Sequence, residues 1–382
     1  MKRLLAFVLA VMLLCTACAA PKEQTAVPEE TAAPGLSWEN LNFEEPESLR
    51  YATEFSVSRN AQGYQKITIG TDQTILVVPE NGEIPRNVPD SVTVLQQPLE
   101  NIYLVASAAM DYFCKLDAVD AVKLSSQKES SWYLEEPKRA MEEGKLIYAG
   151  KYSAPDYETI LAHNCDLAVE NAMIYHTPDV LEQIKKLGIP VIVDRSSYEA
   201  HPLGRMEWIK FYGALLNRQE EAQSYYEKLL SDLSPVLNQS ATGKTVAFFY
   251  ITASGAVNVR KGTDYISKSI ALAGCQPVTF AEEGDSGATS SQTIQMEAFY
   301  NGAVDADILI YNSTVDGELE SLDALLAKAP LLQNFAAVKT GQVYCISKNF
   351  YQESLALGDF ILDVHTVAGD TGREPYFLKQ LK

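Results

Sequence analysis

The chain has 382 residues, with 31 basic and 50 acidic side chains and a formal net charge of −19. That length leaves room for two domains with separate cores. The acidic balance argues against a nucleic-acid partner and against electrostatic binding to anionic lipid.

The N-terminus carries an address. Met1-Lys2-Arg3 is a short basic head, and Leu4 to Leu14 is an unbroken apolar run. The run is too short to cross a bilayer core, which takes roughly 20 residues, but it fits a secretion signal. Cys15-Thr16-Ala17-Cys18 then resembles a bacterial lipobox, although Cys15 stands where Leu is usual. The expected reading is a signal peptide over 1–17 and lipidation at Cys18. An ordinary cleaved signal and an N-terminal membrane anchor are the alternatives. Removing Lys2 and Arg3 makes the mature chain more acidic still. The lipid, rather than surface charge, is therefore expected to hold it at the outer side of the cell membrane.

Residues 18–48 contain Pro21, Pro28, Pro34 and Pro46 among Ala, Glu and Thr, and read as a flexible tether with no core to join. Strand-like runs follow near Gln65–Ile69 and Thr74–Val78. A strand–helix rhythm then sets in. Lys145–Ala149 and Asp166–Val169 read as short buried strands around a helix at Asp156–His163. Thr177-Pro178-Asp179 is a helix start, with a hydroxyl cap, Pro at the first position and an acid in the first turn. Gly188 closes that helix, and Ile189–Val193 is the next strand. Continuous apolar strands alternating with helices predict a parallel sheet covered on both faces.

From Pro202 to about Leu237 the apolar residues recur at three- and four-residue steps, which predicts one long helix. The rhythm resumes after it, with strands at Thr245–Tyr250, Asp307–Tyr311 and Gln342–Ile346. Helices are expected at Thr263–Ala273 and near Gln352–Val367. The predicted fold is α/β: two Rossmann-like lobes with mostly parallel central sheets, 49–201 and 238–382, joined by a rigid helix over 202–237. Glu158 with Asp166 in the first lobe is echoed by Glu297 with Asp307 in the second.

Four cysteines remain after Cys18: Cys114, Cys165, Cys275 and Cys345. Without CxxC spacing, a zinc site or redox pair is not expected. Export permits disulfides, while the apolar runs around Cys165 and Cys345 fit buried free thiols.

Several stretches resemble the helical-backbone family of substrate-binding lipoproteins of ABC importers, which take ferric siderophores, haem or vitamin B12. They are Gly150 with Pro155-Asp156-Tyr157-Glu158-Thr159-Ile160-Leu161, Asp166-Leu167-Ala168-Val169, Leu187-Gly188-Ile189-Pro190-Val191, His201 to Lys210, and Ile270 to Gly274. The resemblance covers roughly residues 90–368. It departs at Cys165-Asp166, where the family usually has Pro-Asp, and around Trp132 and the loop after Tyr148.

The resemblance implies a monomeric capture protein, not an enzyme, with a cleft between its lobes. Its partners would be an ABC permease with its ATPase, and a small-molecule metal chelate. A ferric siderophore is the first expectation, then a corrinoid, then haem. No cofactor of its own is implied, since iron or cobalt would arrive inside the ligand. Glu158 and Glu297 match the family's paired docking glutamates. A carboxylate at a helix start is favoured by the dipole and accepts a two-pronged bond from Arg. Candidate ligand contacts, at strand ends and the start of the 202–237 segment, are Arg205, Trp132, Tyr152, Tyr175, Tyr250, Arg260, Tyr311 and Tyr351. Arg205 leads because a cation in a helix's first turn opposes the dipole and needs another reason. An ion pair with Glu207 or Glu199 is the plainer explanation.

Rival readings are a Zn- or Mn-binding lipoprotein using His163, His176, His201 and His365, an exported hydrolase, and a sensing or adhesion lipoprotein without a permease. No hydrolase, HExxH or phosphate-loop motif supports the enzyme.

Overall fold

In the computed structural model, the described residues are 35–281, 290–369 and 371–382; the leader and Cys18 lie outside them. Leu36–Lys382 form one unit. Its first element is a four-stranded sheet of β1 (Phe55–Arg59), β2 (Gln65–Ile69), β3 (Gln73–Val78) and β4 (Val92–Gln96), in that order. Only β2 and β3 are legible as strands in the sequence. Phe55, Val57, Ile67, Ile69, Ile75, Val77 and Leu95 turn one face into the main core. The other face, with Tyr64, Leu76 and Val78, is covered by Leu36, Trp38, Leu41 and Phe43. This corrects the tether reading for residues 36–43. Spaced aromatic and Leu side chains there find a sheet to cover; full burial of such a side chain contributes about 1.5–3 kcal/mol, and of these only Leu41 is fully buried.

The next sheet contains β5 (Ile102–Leu104), β6 (Val122–Ser125) and β7 (Ile147–Tyr148). A hairpin of β8 (Gly150–Lys151) and β9 (Ala154–Pro155) interrupts, and β10 (Leu167–Glu170) and β11 (Val191–Val193) complete it. Its order is β11-β10-β5-β6-β7 and every pairing is parallel. Leu167 and Val169 face one core while Ala168 faces another. Burial on both sides is why these strands read as unbroken apolar runs.

The third sheet is built on β12 (Thr245–Ile251), with β13 (Val257–Arg260), β14 (Gln276–Pro277), β15 (Ser291–Ile294), β16 (Ile308–Tyr311), β17 (Val343–Ile346) and β18 (Leu378–Gln380). The β12, β16 and β17 core is parallel, as expected. The antiparallel strands β13, β15 and β18 were not legible.

The single helix expected over 202–237 is three helices: Pro202–Glu207, Ile209–Leu215 and Gln219–Leu237. Asn217 adopts the left-handed conformation (φ 56°), and the Arg218 N–H reaches back to the Gly213 carbonyl. That closure stops the helix. A Cβ on Gly213 would lie 2.6 Å from Cβ of Ala222, so the two longer helices approach closely and fold back as a bent support. The apolar period runs through the break because both helices face the same core.

The four cysteines Cys114, Cys165, Cys275 and Cys345 are free thiols.

Candidate functional site

The carboxyl ends of parallel strands from the second and third sheets face one open cleft, whose empty space, open solvent included, is about 410 Å³. Such ends are where open α/β sheets place ligands, because the loops there can vary without disturbing the sheet. The turn after β5 supplies Ala108, the helix Met110–Lys115 that follows supplies Tyr112, and the turn after β11 supplies Ser196 and Ser197. Helix Pro202–Glu207 supplies Arg205. From the third sheet come Tyr265, which opens a helix after β13, and Phe350, Tyr351, Glu353 and Ser354 after β17.

Arg205 is the best-held cation in the cavity wall. Its Nε donates to the Glu199 carbonyl at 2.9 Å, and an Nη donates to the Ser197 carbonyl. The guanidinium lies 3.5 Å from the ring centroid of Tyr265, a cation–π contact across the two sheets. The Tyr112 hydroxyl donates to the Arg205 carbonyl at 2.7 Å. Neither Glu199 nor Glu207 pairs with it through a carboxylate; both are committed to backbone N–H groups of residues 50–54.

Beneath the turn, buried Asp194 accepts from the Ser196 N–H (3.0 Å), the Ser196 hydroxyl (2.6 Å) and the Tyr212 hydroxyl (2.6 Å). Burial pushes the Asp194 carboxyl above its ordinary range. The sequence reading passed over Asp194, Ser196, Ser197, Tyr112 and Tyr265. Asp264 caps the helix that Tyr265 opens, through the Ile266 N–H at 3.0 Å. An N-cap acid just after a strand was the signal that could have found Tyr265.

Arg260 is nearly buried and reaches Tyr351, whose hydroxyl oxygen accepts from it at 2.6 Å and from the Asn312 amide at 3.2 Å. Both lone-pair directions are thereby used, which leaves the Tyr351 O–H free to donate outward. Arg205 and Tyr351 thus line the cavity, and Arg260 stands behind Tyr351.

The remaining candidates lie elsewhere. Trp132 is buried in the main core, and Tyr311 is buried in the second-lobe core with its hydroxyl on Asp316 at 2.9 Å. Tyr152 and Tyr250 are half-buried against separate cores. Tyr175 is exposed on the turn Ala172–His176 after β10. Glu158 and Glu297 are exposed in the first turns of helices Tyr157–Ala162 and Met296–Ala303.

Three of the histidines serve local roles. His201 caps its helix and stacks on Tyr51 with centroids 4.7 Å apart. His163 and His365 each bond a backbone carbonyl, of Thr159 and Ala273.

A strap from the third sheet closes part of the cavity. The Gln352 amide accepts from the Tyr133 N–H (2.7 Å) and donates to the Ser131 carbonyl (2.8 Å). The Ser354 hydroxyl donates to the Ala108 carbonyl (2.8 Å), and the Leu355 N–H to the Asp111 carboxylate (2.7 Å). Asp111 is fully buried, and burial pushes its carboxyl up to about 7.

Comparison with known proteins places this geometry. A family model described as periplasmic binding protein matches residues 105–349. An uncharacterised lipoprotein of Methanocaldococcus jannaschii is 27% identical over 316 residues, 80% of this chain and 74% of the relative. A solved periplasmic haem-binding protein of Pseudomonas aeruginosa matches with a TM-score of 0.55 at 18% identity, over 74% of this chain and 98% of its own. An ABC-type Fe3+-hydroxamate transport system structure from Saccharomonospora viridis matches with a TM-score of 0.55 at 21% identity, over 71% and 94%. At these identities the structures share the fold. The four-stranded sheet over residues 55–96 precedes the family match.

Proposed function

This chain belongs to the periplasmic binding protein family, and on that premise we propose that it captures a metal chelate in the cavity and hands it to an ABC permease. A ferric siderophore is the first choice of ligand. A corrinoid and haem are the alternatives. The observation that carries the proposal is the placement of Arg205 and Tyr351 in one cavity between two sheets. In a chain of net charge −19, a cation kept in a cavity wall suits an anionic or carbonyl-rich ligand.

The metal would travel as cargo inside the ligand, and the protein would bind it without turning it over. Lipidation at Cys18 would tether the body to the membrane, and Glu158 and Glu297 would meet arginines of the permease. The relative from Methanocaldococcus jannaschii is itself a lipoprotein, which supports the anchor.

A thermal-shift panel tests the proposal, using a ferric trihydroxamate, haemin and cyanocobalamin. A ligand at 100 times its dissociation constant adds about 2.7 kcal/mol of stability. A clear rise with one of the three supports the proposal, and no rise with any contradicts it.

A further inference from the structure

The chain enters its body through residues 50–54, ahead of the family match, and there five consecutive backbone N–H groups end on two carboxylates. Those of Arg50, Tyr51 and Ala52 donate to Glu207 at 2.8–3.0 Å. Those of Thr53 and Glu54 donate to Glu199, each at 2.8 Å. A run of converging N–H groups is an anion nest, and here its anions are side chains of the protein itself. Both acids are buried, with 0% and 1% exposure for Glu207 and Glu199. Each takes further donors: Lys210 Nζ on Glu207 at 2.9 Å, and Trp208 Nε1 and the Thr53 hydroxyl on Glu199, both at 3.1 Å. Burial works against the charge on Glu207, yet the N–H groups and Lys210 hold its carboxyl below the usual range.

Glu199 faces two ways. Its carboxylate holds Thr53 and Glu54, while its backbone carbonyl accepts from Arg205 Nε at 2.9 Å. It also ends the turn Ser196–Tyr198, whose Ser197 carbonyl takes the other Arg205 donor. Asp194 pins the opposite end of that turn through Ser196. The two carbonyls that aim Arg205 are therefore supplied by a turn fixed at both ends.

We propose that Glu199 is a positioning residue for the ligand site: by gripping Thr53 and Glu54 it fixes the turn that aims Arg205 across the cavity at Tyr265. The proposal rests on reading the cavity as the ligand site. Its physical basis is preorganisation, since an arginine already aimed loses less freedom when an anionic ligand arrives. It also gives the N-terminal segment a part in binding.

The test needs no ligand, so its outcome is separate from that of the ligand panel. The exchange rate of the Arg205 Nε–H is followed by NMR, with the signal assigned from its loss in Arg205→Lys. In Glu199→Ala the buried donors lose their acceptor and the turn is released, so Arg205 exchange rises about tenfold or more. Amide exchange at Ser196–Glu199 rises with it. Faster exchange confined to Thr53 and Glu54, with Arg205 unchanged, overturns the proposal and leaves Glu199 a local anchor. If Glu199→Ala does not fold, Glu199→Asp carries the test. Its carboxylate is one methylene short of the Thr53 and Glu54 N–H groups, so Arg205 exchange again rises, and an unchanged rate overturns the proposal. With a probe that binds the wild type, either variant weakens binding by a factor that follows the exchange rate.

Discussion

The guanidinium of Arg205 stacks 3.5 Å from the ring centroid of Tyr265, and this contact joins the support helix of the first lobe to the third sheet across the cavity. It resolves an oddity in the sequence. A cation in the first turn of a helix opposes the dipole, and an ion pair with Glu199 or Glu207 was the plain explanation. Instead the guanidinium is held by two carbonyls and an aromatic face, with no carboxylate in direct contact. Asp194 and Asp264 act on it only from a distance, and a guanidinium without a direct carboxylate partner can still pair with an anionic ligand.

The strap makes a first prediction. Gln352→Ala removes two hydrogen bonds between lobes. Net losses of about 1 kcal/mol each are ordinary, so stability falls by about 2 kcal/mol. The ligand-free protein then opens, and small-angle scattering shows a larger radius of gyration than the wild type. An unchanged scattering profile would show that the strap does not hold the lobes together.

Glu170 makes a second. It ends β10 fully buried, and neither carboxylate oxygen has a partner among the described residues. Burial pushes its carboxyl up to about 8 from an ordinary 4.5. In the folded protein the acid is therefore neutral where the unfolded chain is ionised. The stability it contributes is complete below about pH 4.5 and is lost as pH rises through about 8. Glu170→Gln removes this dependence. At pH 7 the variant gains up to about 3 kcal/mol over the wild type, and near pH 4.5 the two match. Urea unfolding at both pH values measures it, and a pH-independent difference contradicts the account.

A third concerns delivery. Glu158→Ala with Glu297→Ala leaves ligand affinity unchanged, because both side chains are exposed on helix starts away from the cavity lining. If the two glutamates dock the protein as proposed, uptake through an ABC permease falls more than tenfold, since a carboxylate–Arg contact is worth about 1.5–3 kcal/mol. Normal uptake by the double variant would remove the docking role.

Much of the fold was legible because both lobes bury their parallel strands on two faces, which writes unbroken apolar runs into the sequence. The echo between lobes has a physical counterpart. Asp166 accepts from the Glu100 and Asn101 N–H groups just before β5, and Asp307 accepts from the Thr245 N–H that opens β12. Each aspartate ties its own strand to the start of the neighbouring one. The break at Asn217 was hidden, because one residue in the left-handed conformation stops a helix without disturbing the apolar period around it. Strands β1 and β4 were hidden by their short, mixed patterns. At the site, tyrosine count misled: most tyrosines pack in cores, and only contacts distant in sequence, such as Arg260 with Tyr351, separate the cavity from the interior.

The most direct measurement is a calorimetric titration of wild type and Arg205→Ala with a ferric trihydroxamate, haemin and cyanocobalamin. The account predicts one ligand bound at one per chain, with affinity falling at least about tenfold in Arg205→Ala through the loss of a charge-assisted contact. No binding of any of the three by wild type, or equal affinity in Arg205→Ala, would contradict it.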